Sequence, residues 1–249
     1  MIDAIAVMWK RQIKTYLRSK HRLIGSLAQP LLFLVAFGFG FGPIFEQAGR
    51  GNYIQFLIPG IIGMTILFSS VMNGMSLIWD KQFGFLKETL VAPVPRINLL
   101  IGRCLGGATT STFQGIVVLA ISFLMGYKVV NWALFPVGIL FMFLISFLFT
   151  LLGTSIASKV EDMLAFPTMM NFMIMPMFFL SGALFPIDNF PSFIHAIAII
   201  NPMTYCVDLL HYTLGTSASF SFMLDMGVVV GLMVLLFMIG TYCFNRIET

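Results

Sequence analysis

The sequence predicts an all-α integral membrane protein: six transmembrane helices, an amphipathic interfacial helix at the N-terminus, and an outer re-entrant helical hairpin between spans five and six. Three observations carry this. Only 10% of the 249 residues are charged while 59% are apolar, whereas a soluble domain carries about 25% charge. Six apolar runs reach the roughly 20 residues needed to cross a hydrocarbon core. Lysine and arginine gather on alternate connections between those runs.

Residues 1–22 form the first element. Ile2, Ile5, Trp9, Ile13, Tyr16 and Leu17 recur at helical spacing, and Lys10, Arg11, Lys14 and Arg18 take the opposite side. That pattern is an amphipathic helix lying in the membrane plane. It serves either as an anchor drawn to anionic lipid or as an elbow that also touches a cytoplasmic partner. The segment is too polar for a secretory core, and no small-residue cleavage site follows the first apolar run, so that run reads as a retained span.

The transmembrane domain occupies 23–249, with spans at about 23–45, 53–79, 104–127, 132–157, 163–185 and 222–244. Trp79, Trp132, Tyr53, Tyr127 and Tyr242 stand near run ends, where amphipathic rings favour the headgroup zone. Twelve of the 14 basic residues fall in the N-terminal segment, in the loop 80–103, after span four and after span six; Arg50 and Lys128 alone fall on the other side. The twelve-residue side is therefore expected to be cytoplasmic, which places both termini inside, as an even number of spans requires. Basic residues at membrane edges also explain the net charge of +4 without nucleic acid. The segment 186–221 is too apolar for a free loop and too interrupted for a span. A short run at 190–200 and a second helix at 203–214 are expected to form the hairpin, its backbone buried against protein.

The spans carry no acidic or basic residue near mid-depth. An ion-coupled carrier binds its driving ion through intramembrane carboxylates, histidines or broken helices, so that class is disfavoured. No G-x-x-x-x-G-K-[ST] occurs, so nothing cradles ATP phosphates. Energy, if used, must come from another chain. Cys104, Cys206 and Cys243 are far apart and odd in number, which suggests neither a disulfide framework nor a zinc site. His195, Asp208 and His211 fall together in the hairpin; Asp208 and His211, three apart, share a helix face, and a hydrogen-bonded pair is expected there rather than a metal site.

Uncharged polar residues interrupt the spans: Gln29, Thr65, Ser69, Ser70, Asn73, Thr109 to Thr112, Gln114, Ser146, Thr150 and Asn171. They serve either as interhelical hydrogen bonds or, for Gln29, Asn73 and Asn171, as the lining of a substrate path. Gly38 and Gly42, and Gly102 and Gly106, are spaced for close helix packing. In the loop 80–103, Phe83, Leu86 and Leu90 fall at helical spacing with Lys87 and Glu88 on other faces, and Pro93 and Pro95 stop the helix. Such an element can dock in a groove by its apolar anchors.

Three motifs resemble one family. Lys87-Glu88-Thr89-Leu90-Val91-Ala92-Pro93-Val94-Pro95-Arg96 is similar to the loop of ABC transporter type-2 permeases, with Pro95 where serine is commoner. Phe179-Leu180-Ser181-Gly182-Ala183-Leu184-Phe185-Pro186-Ile187 resembles their end of span five. Asn201-Pro202-Met203-Thr204-Tyr205-Cys206-Val207-Asp208 resembles their Asn-Pro-(Leu/Met)-Thr-Tyr motif, with His211 where arginine is usual. The likeness extends over essentially the whole chain, and drug, lipid and polysaccharide exporters are its nearest kin.

The resemblance implies a non-catalytic subunit of a prokaryotic cytoplasmic membrane exporter. It implies pairing with a second copy or a paralogue, and with two ATPase subunits that hold ATP and magnesium. Trp9, Arg11, Lys14 and Arg18, with Phe83, Leu86, Lys87, Glu88, Leu90, Pro93 and Arg96, would face those ATPases. Spans one, two and five would line the path, making Gln29, Phe33, Asn73, Asn171 and Phe178 its candidates. The hairpin with Pro186, Asn201, Pro202, Tyr205 and Asp208 would help close the exit. A bulky drug, lipid or lipid-linked glycan is the expected cargo; a stand-alone channel, carrier or scaffold is the rival.

Overall fold

The computed structural model describes residues 2–47, 52–91, 93–187, 190–215 and 218–246. Arg50 lies outside them, as do the side chains of Ile2, Lys20, Arg22 and Leu90. Eleven helices follow one another along the described chain, with no strand among the described residues: α1 (Ile2–Arg18), α2 (Lys20–Gln47), α3 (Tyr53–Met72), α4 (Met75–Gln82), α5 (Phe85–Val91), α6 (Arg96–Leu124), α7 (Phe135–Ala157), α8 (Ala165–Phe179), α9 (Ser192–Ile200), α10 (Pro202–Leu214) and α11 (Phe222–Asn245).

Five stretches are long and apolar enough to cross a membrane: 24–45, 53–82, 96–124, 135–157 and 222–245. The fifth expected span departs from the reading 163–185. Helix α8 is apolar but only 15 residues long. Beyond Phe179 the chain turns, with Gly182 at φ +80°, a conformation that glycine alone adopts without penalty. The turn folds Ser181 to Leu184 into the interior, where Tyr53 Oη donates to Leu184 O at 3.0 Å.

Helix α3 sits at the centre, touching α2, α6, α7, α8 and α10. Almost every residue from Leu57 to Leu67 is buried. A helix apolar all round is a buried helix. Its neighbours come close because small residues face them: a Cβ at Gly60 would run into the Ala183 carbonyl, and one at Gly74 would lie 2.5 Å from Gly153 O. Asn52 caps α3, its side chain accepting from Ile54 N at 2.9 Å, which satisfies one of the orphan donors of the first turn. At Asn73 and Gly74 the helix breaks, and α4 completes the same span to Gln82.

The N-terminal helix is amphipathic as expected, with Asp3 in its first turn and Arg18 in its last, complementing the helix dipole. Its packing was not foreseen. Helix α1 lies along α6, where a Cβ on Gly102 would meet Ile5 O and Met8 Cβ at 2.8 Å and one on Gly106 would meet Gln12 Cβ at 2.5 Å. The 102/106 glycine pair thus seats α1. Lys10, Lys14 and Arg18 stay exposed.

The hairpin consists of α9 and α10, meeting at 83°. Asn201 accepts from Met203 N at 3.0 Å as the cap of α10, with Pro202 at its first position, where a missing N–H costs nothing. Thr204 Oγ1 donates to Ala198 O at 2.7 Å and Tyr205 Oη to Ile199 O at 2.6 Å, so α10 binds the free carbonyls at the end of α9. Asn201 Nδ2 donates to Met177 O at 2.6 Å, joining the corner to α8. The expected Asp208–His211 pair is not formed. Asp208 accepts from Ser219 N at 2.7 Å and Phe220 N at 2.8 Å, while the His211 ring stacks on Phe56 at 4.9 Å with both nitrogens unpartnered. An acceptor-only carboxylate is better matched by two amides than by a ring held flat against an aromatic face. Among the described residues no three His, Cys, Asp or Glu side chains are placed to share a metal.

Gly60→Ala is expected to destabilise the fold by about 1–3 kcal/mol, because the Ala183 backbone cannot yield. Gly42→Ala, with open space around it, should gain up to ~1 kcal/mol from helix propensity. Thermal unfolding of both variants in detergent checks the contrast; equal midpoints would contradict the close approach.

Candidate substrate cavity

The break between α3 and α4 opens a concavity. A cavity of about 270 Å³ lies between the first half of α2, the second half of α3, the middle of α6 and the start of α8. Helix α2 contributes Ser26, Gln29 and Pro30; α3 contributes Thr65, Phe68, Ser69 and Met72; α6 contributes Gln114; α8 contributes Pro167 and Asn171. Asn73 from the break and Tyr16 from the end of α1 complete the wall. Among the described residues no lining side chain is an acid, a lysine, an arginine or a histidine.

The two readings of the intramembrane polar residues divide here residue by residue. Asn73 is held: its Nδ2 donates to Gly107 O at 3.2 Å and lies 3.3 Å from Thr110 Oγ1 and 3.2 Å from Ser111 Oγ. Ser111 Oγ in turn donates to Ser69 Oγ at 2.9 Å, and Thr112 Oγ1 to Ser146 Oγ at 3.1 Å. These are interhelical hydrogen bonds, each worth on the order of 0.6–2 kcal/mol in a bilayer. Gln29 and Asn171 are exposed at the cavity wall instead. Thus Gln29, Asn73 and Asn171, from three separate helical segments, do converge on one space, with Asn73 as part of its fixed wall.

Phe33 and Phe178 fall elsewhere. They meet each other edge to face at 6.3 Å, within a column of rings along the second half of α2. Phe33 stacks on Phe37 at 5.3 Å and Phe37 on Phe41 at 5.5 Å; Phe41 contacts Phe185, and Phe45 contacts Tyr53. Phe178 is fully buried. Offset and edge-to-face ring pairs are favourable contacts, and here they fill the space beyond Pro30. They form an aromatic seam that continues along α2 past the cavity residues Gln29 and Pro30.

Two wall residues have no signal of their own in the sequence: Tyr16 reads as the apolar side of α1, and Ser26 attracts no reading. Gln114 stands out as an uncharged polar residue within a span. Gln114 is 2% exposed; its Nε2 donates to Ser26 Oγ at 2.8 Å, and its Oε1 has no donor among the described residues. A buried carbonyl oxygen without a donor is costly, and Gln114 carries it at the cavity wall.

At the other end of the same span, the expected docking element is split. Gly84 at φ +76° separates Phe83, which closes α4, from Leu86, the second residue of α5; the two do not share one helix. Leu86 is buried, whereas Phe83, Lys87, Glu88 and Val91 are exposed. Arg96 Nη1 donates to Asn245 O at 2.7 Å, tying the start of α6 to the end of α11.

Comparison with known proteins agrees with this architecture. The family model described as ABC-2 type transporter matches residues 3–215. A protein described as a transport permease, ycf38 of Cyanophora paradoxa, is 28% identical over 214 residues, covering 85% of this chain and 74% of its own length. The inner membrane transport permease YadH of Escherichia coli K12 is 26% identical over 84% of this chain and 82% of its own length. Nodulation protein J of Rhizobium leguminosarum bv. viciae is 22% identical over 96% and 93%.

The cavity can be probed directly. The three native cysteines are all buried, so background labelling should be low. Gln29→Cys and Asn171→Cys are expected to react with a small polar maleimide on the order of tenfold faster than Phe178→Cys, because thiol reactivity follows exposure. Equal rates at all three would mean that the aromatic seam is not closed.

Proposed function

Since the chain belongs to the ABC-2 type transporter family, whose members are membrane-spanning subunits of ATP-binding-cassette transporters, we propose that it is the permease of an exporter moving a bulky amphiphile with an uncharged polar part out of the cytoplasm. The observation that carries this reading is the cavity wall. Among the described residues it offers hydroxyls and amides and no formal charge, and a column of aromatic rings continues along the same helix α2. A charged solute would lose its hydration there without a counter-ion. A neutral polar head joined to an apolar body finds partners for both. Drug, lipid and lipid-linked glycan all have this chemistry.

In this reading the chain binds no nucleotide; ATP and magnesium belong to two partner ATPase subunits. Those subunits dock against α5 and the exposed Phe83, Lys87, Glu88 and Val91, on the cytoplasmic side defined by the basic residues. The exposed basic row of α1 lies beside anionic lipid headgroups. A second copy, or a paralogue, faces the open flanks of α2 and α8, where Leu32, Phe39, Met169 and Phe172 are exposed. Both helices border the cavity, so pairing there would place two cavities about a shared path. The hairpin corner built on Asn201 and Tyr205 would then close the outer end.

Two measurements test this. The chain reconstituted with its ATPase in proteoliposomes should stimulate ATP hydrolysis, and Glu88→Lys should remove the stimulation while leaving insertion intact. Gln29→Leu and Asn171→Leu should each weaken apparent affinity for the exported amphiphile by roughly two- to tenfold, the value of one hydrogen bond of about 0.5–1.5 kcal/mol. Transport that proceeds without any nucleotide-hydrolysing partner would overturn the proposal.

A further inference from the structure

Three charged side chains from three helices converge where the broken span ends. Asp80 of α4 receives Arg11 of α1 at both oxygens, Nη2 to Oδ1 at 2.6 Å and Nη1 to Oδ2 at 3.2 Å. Its Oδ2 also accepts from Nη2 of Arg103 on α6. Arg103 is 3% exposed, and its Nη1 donates to Ser76 Oγ at 3.1 Å. The guanidinium of Arg11 also lies over the ring of Phe85, 3.9 Å from its centroid. Phe85 is the first residue of α5.

We infer that the Arg11–Asp80–Arg103 cluster is the linkage that carries a displacement of α5 into the transmembrane core. The inference rests on the exporter reading and adds to it the residues that make the mechanical connection. Fold stability alone is a poor account of the cluster. A buried ion network contributes little net stability over an apolar layer of the same volume, and this one leaves Arg103 Nε without a partner among the described residues. What charge supplies is direction and register, through planar guanidinium forks that accept one geometry.

A push on α5 can reach the core by two routes. One is the main chain through Gly84, whose left-handed conformation lacks any side chain to stiffen it. The other runs through the Phe85–Arg11 stack to Asp80 and on to Arg103. Every anchor of the second route is held. Helix α1 is seated on α6 by Gly102 and Gly106, and Trp9 Nε1 donates to Thr109 Oγ1 at 3.0 Å. Lys81, beside Asp80, donates to Ala157 O at 3.2 Å and to Ser158 O, where α7 ends. Gln82 Nε2 donates to Glu161 O at 2.8 Å. Three turns beyond Arg103 the same helix carries Gln114, the cavity residue bound to Ser26. A rigid shift of α6 therefore alters the cavity wall.

The test uses the whole complex with its cognate ATPase in nanodiscs, and reads the cavity rather than the cargo. In an Asn171→Cys background, the rate of maleimide labelling is compared without nucleotide and with ATP, magnesium and vanadate. The reference complex should show a nucleotide-dependent change in rate. Asp80→Asn should shrink that change by about tenfold, within the usual range for coupling between two sites, while hydrolysis of ATP continues; Asp80→Glu should restore it. If Asp80→Asn fails to assemble, Arg11→Gln carries the test, since Arg11 is 31% exposed and its loss leaves Arg103 paired. Unchanged nucleotide-dependent labelling in these variants overturns the linkage. So does a loss of labelling response in strict proportion to lost hydrolysis, which would make the cluster a support for assembly. A reference complex whose labelling ignores nucleotide removes the exporter reading itself, and is distinguishable because it needs no variant.

Discussion

Apolar side chains gain nothing by leaving lipid for protein, so helices in a bilayer must be held by close backbone approach and by hydrogen bonds. The arrangement around α3 follows from that constraint. Gly60 admits the Ala183 carbonyl, Gly74 admits the Gly153 backbone, and Gly153 admits that of Val71. The turn after α8 is drawn inward by the Tyr53 to Leu184 hydrogen bond. Once α3 is enclosed by α2, α6, α7, α8 and α10, the remaining helices have few choices of position.

The same constraint explains why polar residues are tolerated at this density. The Asn73 side chain at the break and polar groups on α3, α6 and α7 satisfy one another through Asn73, Ser69, Ser111, Thr112 and Ser146. That lattice fixes two walls of the cavity. The other walls, from α2 and α8, present Gln29 and Asn171 without such ties. A site with one rigid side and one side on peripheral helices can change volume without breaking the core. The aromatic column from Phe33 to Phe45 adds a closure that depends only on ring packing, which is adaptable in a way that hydrogen bonds are not.

Motifs that look functional in a sequence turn out here to have structural work as well. Asn201, Pro202, Thr204 and Tyr205 build an 83° corner by capping α10 and binding the last carbonyls of α9. Pro202 is tolerated because it stands at the first helical position. Gly182 provides the left-handed turn that ends span five early. The two helices are thus bound to each other at the corner and joined to α8 through Asn201 and Met177.

The sequence by itself determined the solvent, because 10% charge cannot cover a surface in water. It determined the approximate spans, because a hydrocarbon slab fixes their length, and it singled out Gln29, Asn73 and Asn171, because amides are conspicuous in apolar runs. Composition and period are local properties, and they were legible. Only the tertiary structure decided that those three meet in one cavity, that Phe33 and Phe178 pack instead in a column of rings outside its wall, and that Gln114, Ser26 and Tyr16 belong to that wall. Asp80 and Arg103 counted in the sequence merely as charges at a membrane edge; 23 positions apart, they pair with each other and with Arg11. Convergence of that kind is set by which helix faces touch, and in lipid that is decided by backbone fit between small residues far apart in the chain, a property that no single segment carries.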